Sequence, residues 1–187
     1  MNSWFPEIKK NFGFGCMRLP MVGDKVDIPQ TTKMVDTFLE RGFNYFDTAW
    51  MYHSGESECL VKKCLLGKYP RDSYTVTDKL PDYILKPDRT PQQVFDIQLE
   101  RTGLDYFDYY LVHDTNAVSI VNFEKYHCFE FVEELLDKGL VKHIGLSHHD
   151  GPELLEEIHQ TSQNRIRTAS DQLSGLGQPG SQSQGVL

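Results

Sequence analysis

Four polar side chains stand where successive strands of this sequence are predicted to end. Asp47, Lys79, His113 and Ser147 each close a short run rich in β-branched and aromatic residues. A carboxylate, an ammonium, an imidazole and a hydroxyl brought together can transfer a proton and stabilise a developing charge. We therefore expect the four side chains to form one polar cluster at one edge of a sheet.

A phenol, Tyr52, follows shortly after Asp47. Reduction of a carbonyl group by a hydride needs a proton donor beside the developing alkoxide, and a phenol next to an ammonium can serve. In this interpretation Lys79 stabilises the phenolate form of Tyr52, and Asp47 holds Lys79 in its charged form. His113 then hydrogen-bonds the substrate oxygen and orients it.

Each of these residues also has an ordinary structural explanation. An Asp before Thr-Ala most often caps a helix or lies in a loop, and a Lys or His at a strand end is usually solvated. The coincidence of four such residues at consecutive strand ends favours the functional interpretation. The run His148, His149, Asp150 suggests a metal, but no HxH follows the first strand, so we expect no metal site.

The elements that must position these residues recur at intervals of about 30 residues, the length of a strand–helix–strand unit. The predicted strands are Phe12 to Met17, Phe43 to Asp47, Tyr74 to Lys79, Phe107 to His113 and Val141 to Ser147. Apolar residues at helical spacing lie between them. Gly42, Gly103 and Gly139 follow helical runs, where a left-handed residue ends a helix. The alternation predicts parallel strands joined by right-handed crossovers.

This alternation is typical of a doubly wound sheet or of a (β/α)8 TIM barrel. No GxGxxG follows the first predicted strand, because GFGCM, Gly13 to Met17, lies within it. The polar residues at the strand ends favour the barrel. A whole barrel needs about 250 residues, whereas only five units precede His159. We expect an α/β fold of the (β/α)8 TIM barrel family that is incomplete.

Composition narrows the classes of partner. The 187 residues are 39% hydrophobic and 25% charged, which is ordinary for a globular domain. A formal charge of −8, with no basic cluster, argues against nucleic acid and anionic membranes as partners. The polar start and the absence of a long apolar run predict a cytoplasmic protein. The four scattered cysteines are expected to be reduced thiols.

Several motifs resemble the successive signatures of the aldo-keto reductases. They are DTAWMY (Asp47 to Tyr52), TDK (Thr77 to Lys79), LVH (Leu111 to His113) and GLS (Gly145 to Ser147), together with FGFGCMRLP (Phe12 to Pro20), which resembles the opening strand. The resemblance covers roughly residues 11–158. It is strongest to a bacterial branch whose full-length members often carry a C-terminal iron-sulfur segment.

The resemblance implies an NADPH- or NADH-dependent reductase of aldehydes or ketones, with a small-molecule carbonyl substrate. It gives Asp47, Tyr52, Lys79 and His113 as the catalytic residues, with Tyr52 as the general acid. It also implies that Ser147 meets the nicotinamide carboxamide. His148 stands beside it in the cofactor site, at a position where the family usually has Asn.

Residues 1–158 are thus interpreted as the N-terminal part of an aldo-keto reductase barrel. Residues 159–187 are rich in Gln, Ser and Gly and are predicted to be an aberrant, disordered tail. A frameshift near His159 is our hypothesis for that tail, and such a truncated chain should be weakly active or inactive. The alternative is a noncatalytic cofactor-sensing or scaffolding subunit built on the same barrel. The oligomeric state stays open.

Overall fold

A computed structural model describes residues 5–160 of the chain, which fall into two compact units divided after His149. In the second unit, residues 152–160 form a helix. The predicted aberrant tail lies almost wholly outside the described residues. Over residues 5–160 no helix combines the length and apolarity that a membrane span requires.

The first unit alternates strands and helices. Its strands are β1 (Gly13–Gly15), β2 (Met21–Val22), β3 (Lys25–Val26), β4 (Tyr45–Asp47), β5 (Thr75–Leu80), β6 (Phe107–Thr115) and β7 (Val141–His148). Its helices are α1 (Ile28–Glu40), α2 (Ser57–Cys64), α3 (Pro91–Thr102), α4 (Ser119–Lys125) and α5 (Cys128–Asp137). Two short 3-10 turns cover Tyr52–Gly55 and Arg71–Ser73.

Five strands form one parallel sheet in the order β1-β4-β5-β6-β7, while β2 and β3 form a separate antiparallel hairpin. Because the spatial order follows the chain order, every crossover steps in the same direction. A doubly wound sheet would instead reverse direction at a switch point. The sheet therefore has the strand progression of a barrel, with five units in the part described, as predicted. The sequence pattern did not predict the hairpin or α4.

The strand ends differ from prediction mainly at β1 and β4, which have only three residues each. Phe12 is 66% exposed and lies before the ladder, in which Gly13 pairs with Tyr45 and Gly15 pairs with Asp47. The aromatic run therefore continues beyond the paired backbone. The later strands β5, β6 and β7 start within one residue of their predicted positions.

Helix boundaries follow from local chemistry. At the start of α3 the Thr90 hydroxyl accepts a hydrogen bond from the Gln93 backbone, and the Gln93 side chain accepts one from the Thr90 backbone, which is a complete capping box. Gly103 ends the helix at φ 69°. Gly42 and Gly139 likewise have φ of 79° and 69°. All three glycines are in the left-handed region that the sequence pattern predicted.

A cluster of charges joins three strands near the amino end of the sheet. One oxygen of the buried Asp108 carboxylate accepts hydrogen bonds from Arg71 Nη2 at 2.6 Å and from the Val76 backbone N–H at 2.9 Å. The other oxygen accepts from Lys142 Nζ at 2.9 Å. The Arg71 guanidinium also lies 4.0 Å from the centroid of the Tyr106 ring. This cluster ties β5, β6 and β7 together away from the polar strand ends.

Candidate active site

The register of the sheet determines how the polar strand ends approach one another. Asp47 on β4 pairs with Thr77 on β5, two residues before Lys79. Lys79 in turn pairs with Leu111 on β6, two residues before His113. The side chains thus advance by two residues from each strand to the next, all on the same face of the sheet. Strands that are tilted, as in a barrel, bring such staggered residues to a common level.

The Lys79 ammonium is the centre of the cluster. Its Nζ donates hydrogen bonds to Asp47 Oδ1 at 2.7 Å and to the Thr48 carbonyl at 2.7 Å. A third contact joins Nζ to Tyr52 Oη at 3.4 Å. Burial by itself lowers the pKa of Lys79, but the charge of Asp47 and the hydrogen bond to it outweigh burial, so the pKa is raised. Lys79 is therefore a buried cation beside a phenol at neutral pH.

His113 completes the group on the side of Tyr52. Its side chain is nearly buried, at 6% exposure, and its ring centroid lies 6.1 Å from that of Tyr52 with the two planes almost perpendicular. Burial and the nearby positive charge of Lys79 lower the pKa of His113 to about 4. The imidazole is therefore neutral near pH 7 and can donate or accept a hydrogen bond without adding a positive charge.

Tyr52 lies at the start of an unusual turn. The next two residues, His53 and Ser54, have φ of 51° and 57°, a left-handed conformation that costs about 1–2 kcal/mol for a residue with a Cβ atom. The His53 ring compensates by accepting a hydrogen bond at Nε2 from the Leu19 backbone N–H at 3.1 Å. The position of Tyr52 therefore depends on tertiary contacts that hold this turn.

The start of α2 provides a further anchor. The hydroxyls of Ser57 and Thr48 share a buried hydrogen bond of 2.7 Å, and the Ser57 hydroxyl also donates to the Cys16 carbonyl at 3.3 Å. Thr48 follows Asp47 directly, and its carbonyl binds Lys79. The segment between Asp47 and α2 is thus pinned at both ends around Tyr52.

The two residues predicted to contact a cofactor lie at the end of β7. The Ser147 hydroxyl is 3.2 Å from His149 Nε2, and His148 Nδ1 is 3.1 Å from the Thr115 hydroxyl. Adjacent residues of a strand point to opposite faces, so Ser147 and His148 lie on opposite faces of β7. The register between β6 and β7 shifts between Val112 and Thr115, the stretch that contains His113. The structure thus brings Asp47, Tyr52, Lys79 and His113 into one contact group and gives Ser147 and His148 separate polar neighbours.

Sequence reasoning missed a buried polar layer behind Lys79. Glu58, Asp78, Gln98 and Tyr110 are all fully buried. Burial raises the pKa of Glu58, and burial together with the charge of Glu58 raises the pKa of Asp78 well above its ordinary range. Glu58 ends the stretch YHSGESE, Tyr52 to Glu58, and Asp78 lies in the motif TDK, but nothing in either stretch indicates that these carboxylates face inward.

One family model and several known proteins match most of this chain. The model of the Aldo/keto reductase family matches residues 11–175. A probable aldo-keto reductase 1 from Glycine max is 28% identical, with 82% of this chain and 45% of that protein covered. An NAD(P)H-dependent D-xylose reductase from Pachysolen tannophilus is 27% identical, with 86% of this chain and 54% of that protein covered.

A solved structure gives the same result for the fold. An aldo-keto reductase from Bacillus halodurans in its holo form superposes with a TM-score of 0.61 at 28% identity, over 78% of this chain and 48% of that one. The present chain therefore spans about half the length of the relatives that it matches.

Proposed function

The chain belongs to the aldo/keto reductase family, and from that membership we propose that it serves in an NAD(P)H-dependent reduction of an aldehyde or ketone to an alcohol. Asp47, Tyr52, Lys79 and His113 are the proposed catalytic residues. The observation that carries the proposal is the position of Lys79 Nζ, which is 2.7 Å from Asp47 Oδ1 and 3.4 Å from Tyr52 Oη.

Tyr52 is the proposed general acid. A carbonyl oxygen that receives a hydride on its carbon becomes an alkoxide, which must be protonated. The buried Lys79 cation stabilises the phenolate that remains when Tyr52 gives up its proton, and Asp47 keeps that cation charged and in place. The proposal is supported by the hydrogen-bond network that joins the Tyr52 phenol to the Lys79 cation and to Asp47.

His113 is the proposed orienting group. Since its pKa is lowered to about 4, the ring carries no extra proton to release near pH 7. A neutral ring can still donate one N–H to the substrate oxygen and hold it near Tyr52 Oη. This division of roles assigns proton transfer to the phenol and positioning to the imidazole.

The proposed cofactor is NADPH or NADH, which the D-xylose reductase from Pachysolen tannophilus is named as using. When bound, the nicotinamide supplies the hydride. The half-buried Ser147 hydroxyl, near the end of β7, has the donor and acceptor capacity that a carboxamide requires. His148 is the second proposed contact, although its ring is engaged with Thr115.

The 187-residue chain by itself is proposed to be weakly active or inactive. In the described part, β1 and β7 are the two edges of an open sheet. By resemblance to the family, the residues that grip the dinucleotide lie mostly beyond the fifth unit. The proposed activity therefore belongs to the protein in which this barrel is closed.

The test is reduction of a reactive aldehyde by NADPH at high protein concentration, with Tyr52→Phe as the key variant. We expect Tyr52→Phe to lower the rate by at least about 100-fold, since general acid catalysis contributes that much or more. Tyr69→Phe is the control, because Tyr69 bonds to Asp36 away from the cluster. Equal rates for wild type and Tyr52→Phe, both above background, would exclude Tyr52 as the acid. If wild type shows no rate, the same comparison on a chain carrying a complete barrel decides.

A further inference from the structure

The buried amide of Gln98 connects the segment that carries Tyr52, the proposed acid, to the strand that carries Lys79. Gln98 on α3 is fully buried, and its Nε2 donates to Glu58 Oε1 at 3.0 Å and to the Lys79 backbone carbonyl at 3.0 Å. Its Oε1 accepts a hydrogen bond from the Tyr110 hydroxyl at 2.5 Å. The Gln98 amide nitrogen therefore donates to α2 and to β5, and its oxygen accepts from β6.

The orientation of this amide is determined by its neighbours. Nε2 faces a carboxylate and a carbonyl, which can only accept, while Oε1 faces a hydroxyl that can donate. A flipped amide would set oxygen against two acceptors in a buried site, at a large cost. Gln98 therefore has one state compatible with its surroundings and acts as a rigid bridge.

The Glu58 end of the bridge leads to Tyr52. Glu58 is in the first turn of α2, directly after the strained turn that begins at Tyr52. Its second oxygen accepts from Arg101 Nη1 at 2.8 Å, and the Arg101 guanidinium lies 3.8 Å from the centroid of the Trp50 ring. The segment that carries Tyr52 is therefore held on both sides by contacts that converge on Glu58.

The Lys79 end leads to the ammonium. The carbonyl that Gln98 binds is that of Lys79 itself, so the bridge holds the backbone from which the catalytic side chain extends. Removing the amide would leave Glu58 Oε1, the Lys79 carbonyl and the Tyr110 hydroxyl without this partner in a buried layer. Buried polar groups that lose their partners carry a desolvation penalty, so local rearrangement is expected.

We propose that Gln98 is a positioning residue that sets the distance between Tyr52 Oη and Lys79 Nζ by joining α2 to the backbone of Lys79. The proposal rests on the proposed function, because that distance matters only if the phenol and the ammonium act together. Gln98 lies one layer behind the reacting atoms and acts through Glu58 and Lys79. Because the carboxylates of this layer are buried, loss of the Gln98 amide is expected to rearrange the layer.

The experiment measures the Lys79–Tyr52 contact in the full 187-residue chain without cofactor. Tyrosine is labelled with ¹³C at Cζ, and the Tyr52 resonance at neutral pH is identified by its absence in Tyr52→Phe. Lys79→Met gives the shift that corresponds to loss of the contact. Gln98→Met keeps the side-chain length but removes the amide, and we expect it to reproduce most of that shift.

Thr102→Ala is the matched control. Thr102 is buried on the same helix, and its hydroxyl donates to the α3 carbonyls of Gln98 and Leu99 at 2.8 and 3.3 Å. We expect this variant to lose a comparable amount of local stability and to leave the Tyr52 resonance in place. If Gln98→Met does not fold, Tyr110→Phe removes only the hydroxyl that bonds to Gln98, and a smaller shift in the same direction is expected.

The outcomes distinguish failure of this proposal from failure of the proposed function. In the first outcome, Lys79→Met moves the Tyr52 resonance but Gln98→Met, or Tyr110→Phe in its place, does not. The positioning role of Gln98 is then wrong, and the proposed pairing of Tyr52 with Lys79 stands. If Lys79→Met itself has no effect, the contact between ammonium and phenol is absent and both proposals fail. A shift in Thr102→Ala as large as that in Gln98→Met would also overturn the positioning role.

Discussion

Replacement of His113 by Gln should remove a specific part of the pH dependence of stability. In the folded chain, burial and the charge of Lys79 lower the pKa of His113 to about 4, against an ordinary value of 6.5. As the pH falls below 6.5, the His113 imidazole binds a proton in the unfolded chain but not in the folded chain, so the free energy of unfolding decreases. The contribution is intact above pH 6.5 and is lost as the pH approaches 4.

The size of this effect follows from the same two values. They differ by about 2.5, and each unit of pKa corresponds to about 1.4 kcal/mol, which gives about 3 to 4 kcal/mol in total. Because the side chain is only 6% exposed, solvent screening reduces this value little. For a small domain, a loss of this size is a large fraction of the whole stability.

Urea denaturation at several pH values between about 4 and 7 measures the effect. In His113→Gln the free energy of unfolding should fall less steeply over this range, and the difference between the two curves should grow to about 3 kcal/mol as the pH falls. His127→Asn is the control, because His127 is exposed and Asn tolerates its left-handed backbone, φ 53°. Parallel curves for wild type and His113→Gln would refute the assignment of a buried, neutral imidazole.

Three further variants test contacts outside the proposed catalytic group, each by urea denaturation. Asp108→Asn removes the charge between two cations and should cost about 3 kcal/mol, whereas Asn at the exposed Asp72 should be nearly neutral. Gly103→Ala should lower the free energy of unfolding more than Gly67→Ala does. Both glycines have positive φ, and the backbone strain alone costs about 1 kcal/mol. Only at Gly103 would the new Cβ also lie 2.6 Å from a side-chain carbon. Asp78→Asn should raise the free energy of unfolding at neutral and alkaline pH. Burial raises the pKa of the Asp78 carboxyl, so the folded chain loses stability as rising pH removes the carboxyl proton. An unchanged pH profile would contradict this.

The order of strands and helices could be predicted because each element is encoded locally. Hydrophobic runs of strand length alternate with helical spacing, and glycines with positive φ separate α1, α3 and α5 from the following strands. The β2–β3 hairpin and α4 were missed because neither has a long periodic pattern. A hairpin of two residues per strand carries too few residues to show alternation.

The proposed catalytic residues were found for a different reason. Parallel strands end at one edge of the sheet, so polar residues at their carboxyl ends meet in space even though they are far apart in sequence. Asp47, Lys79 and His113 lie in one group with Tyr52, whereas Ser147, which was expected in the same cluster, contacts His149 instead. The roles of all these residues stay a proposal. The layer behind them could not be found in this way, because a Gln or Glu on a helix reads as solvent-exposed until the packing of that helix is known.

The sequence by itself determined the succession of elements, the direction of the strands and the chemical types available at the strand ends, since these depend on spacing and on local backbone preferences. Only the tertiary structure decided the charge state and position of the side chains. The low pKa of His113 arises from burial and from the charge of Lys79, which belongs to another strand. The contact between Lys79 and Tyr52 likewise joins β5 to a strained turn, in which the His53 ring accepts a hydrogen bond from the Leu19 backbone. Desolvation and through-space contacts join residues that are distant in the chain, so no local pattern records them.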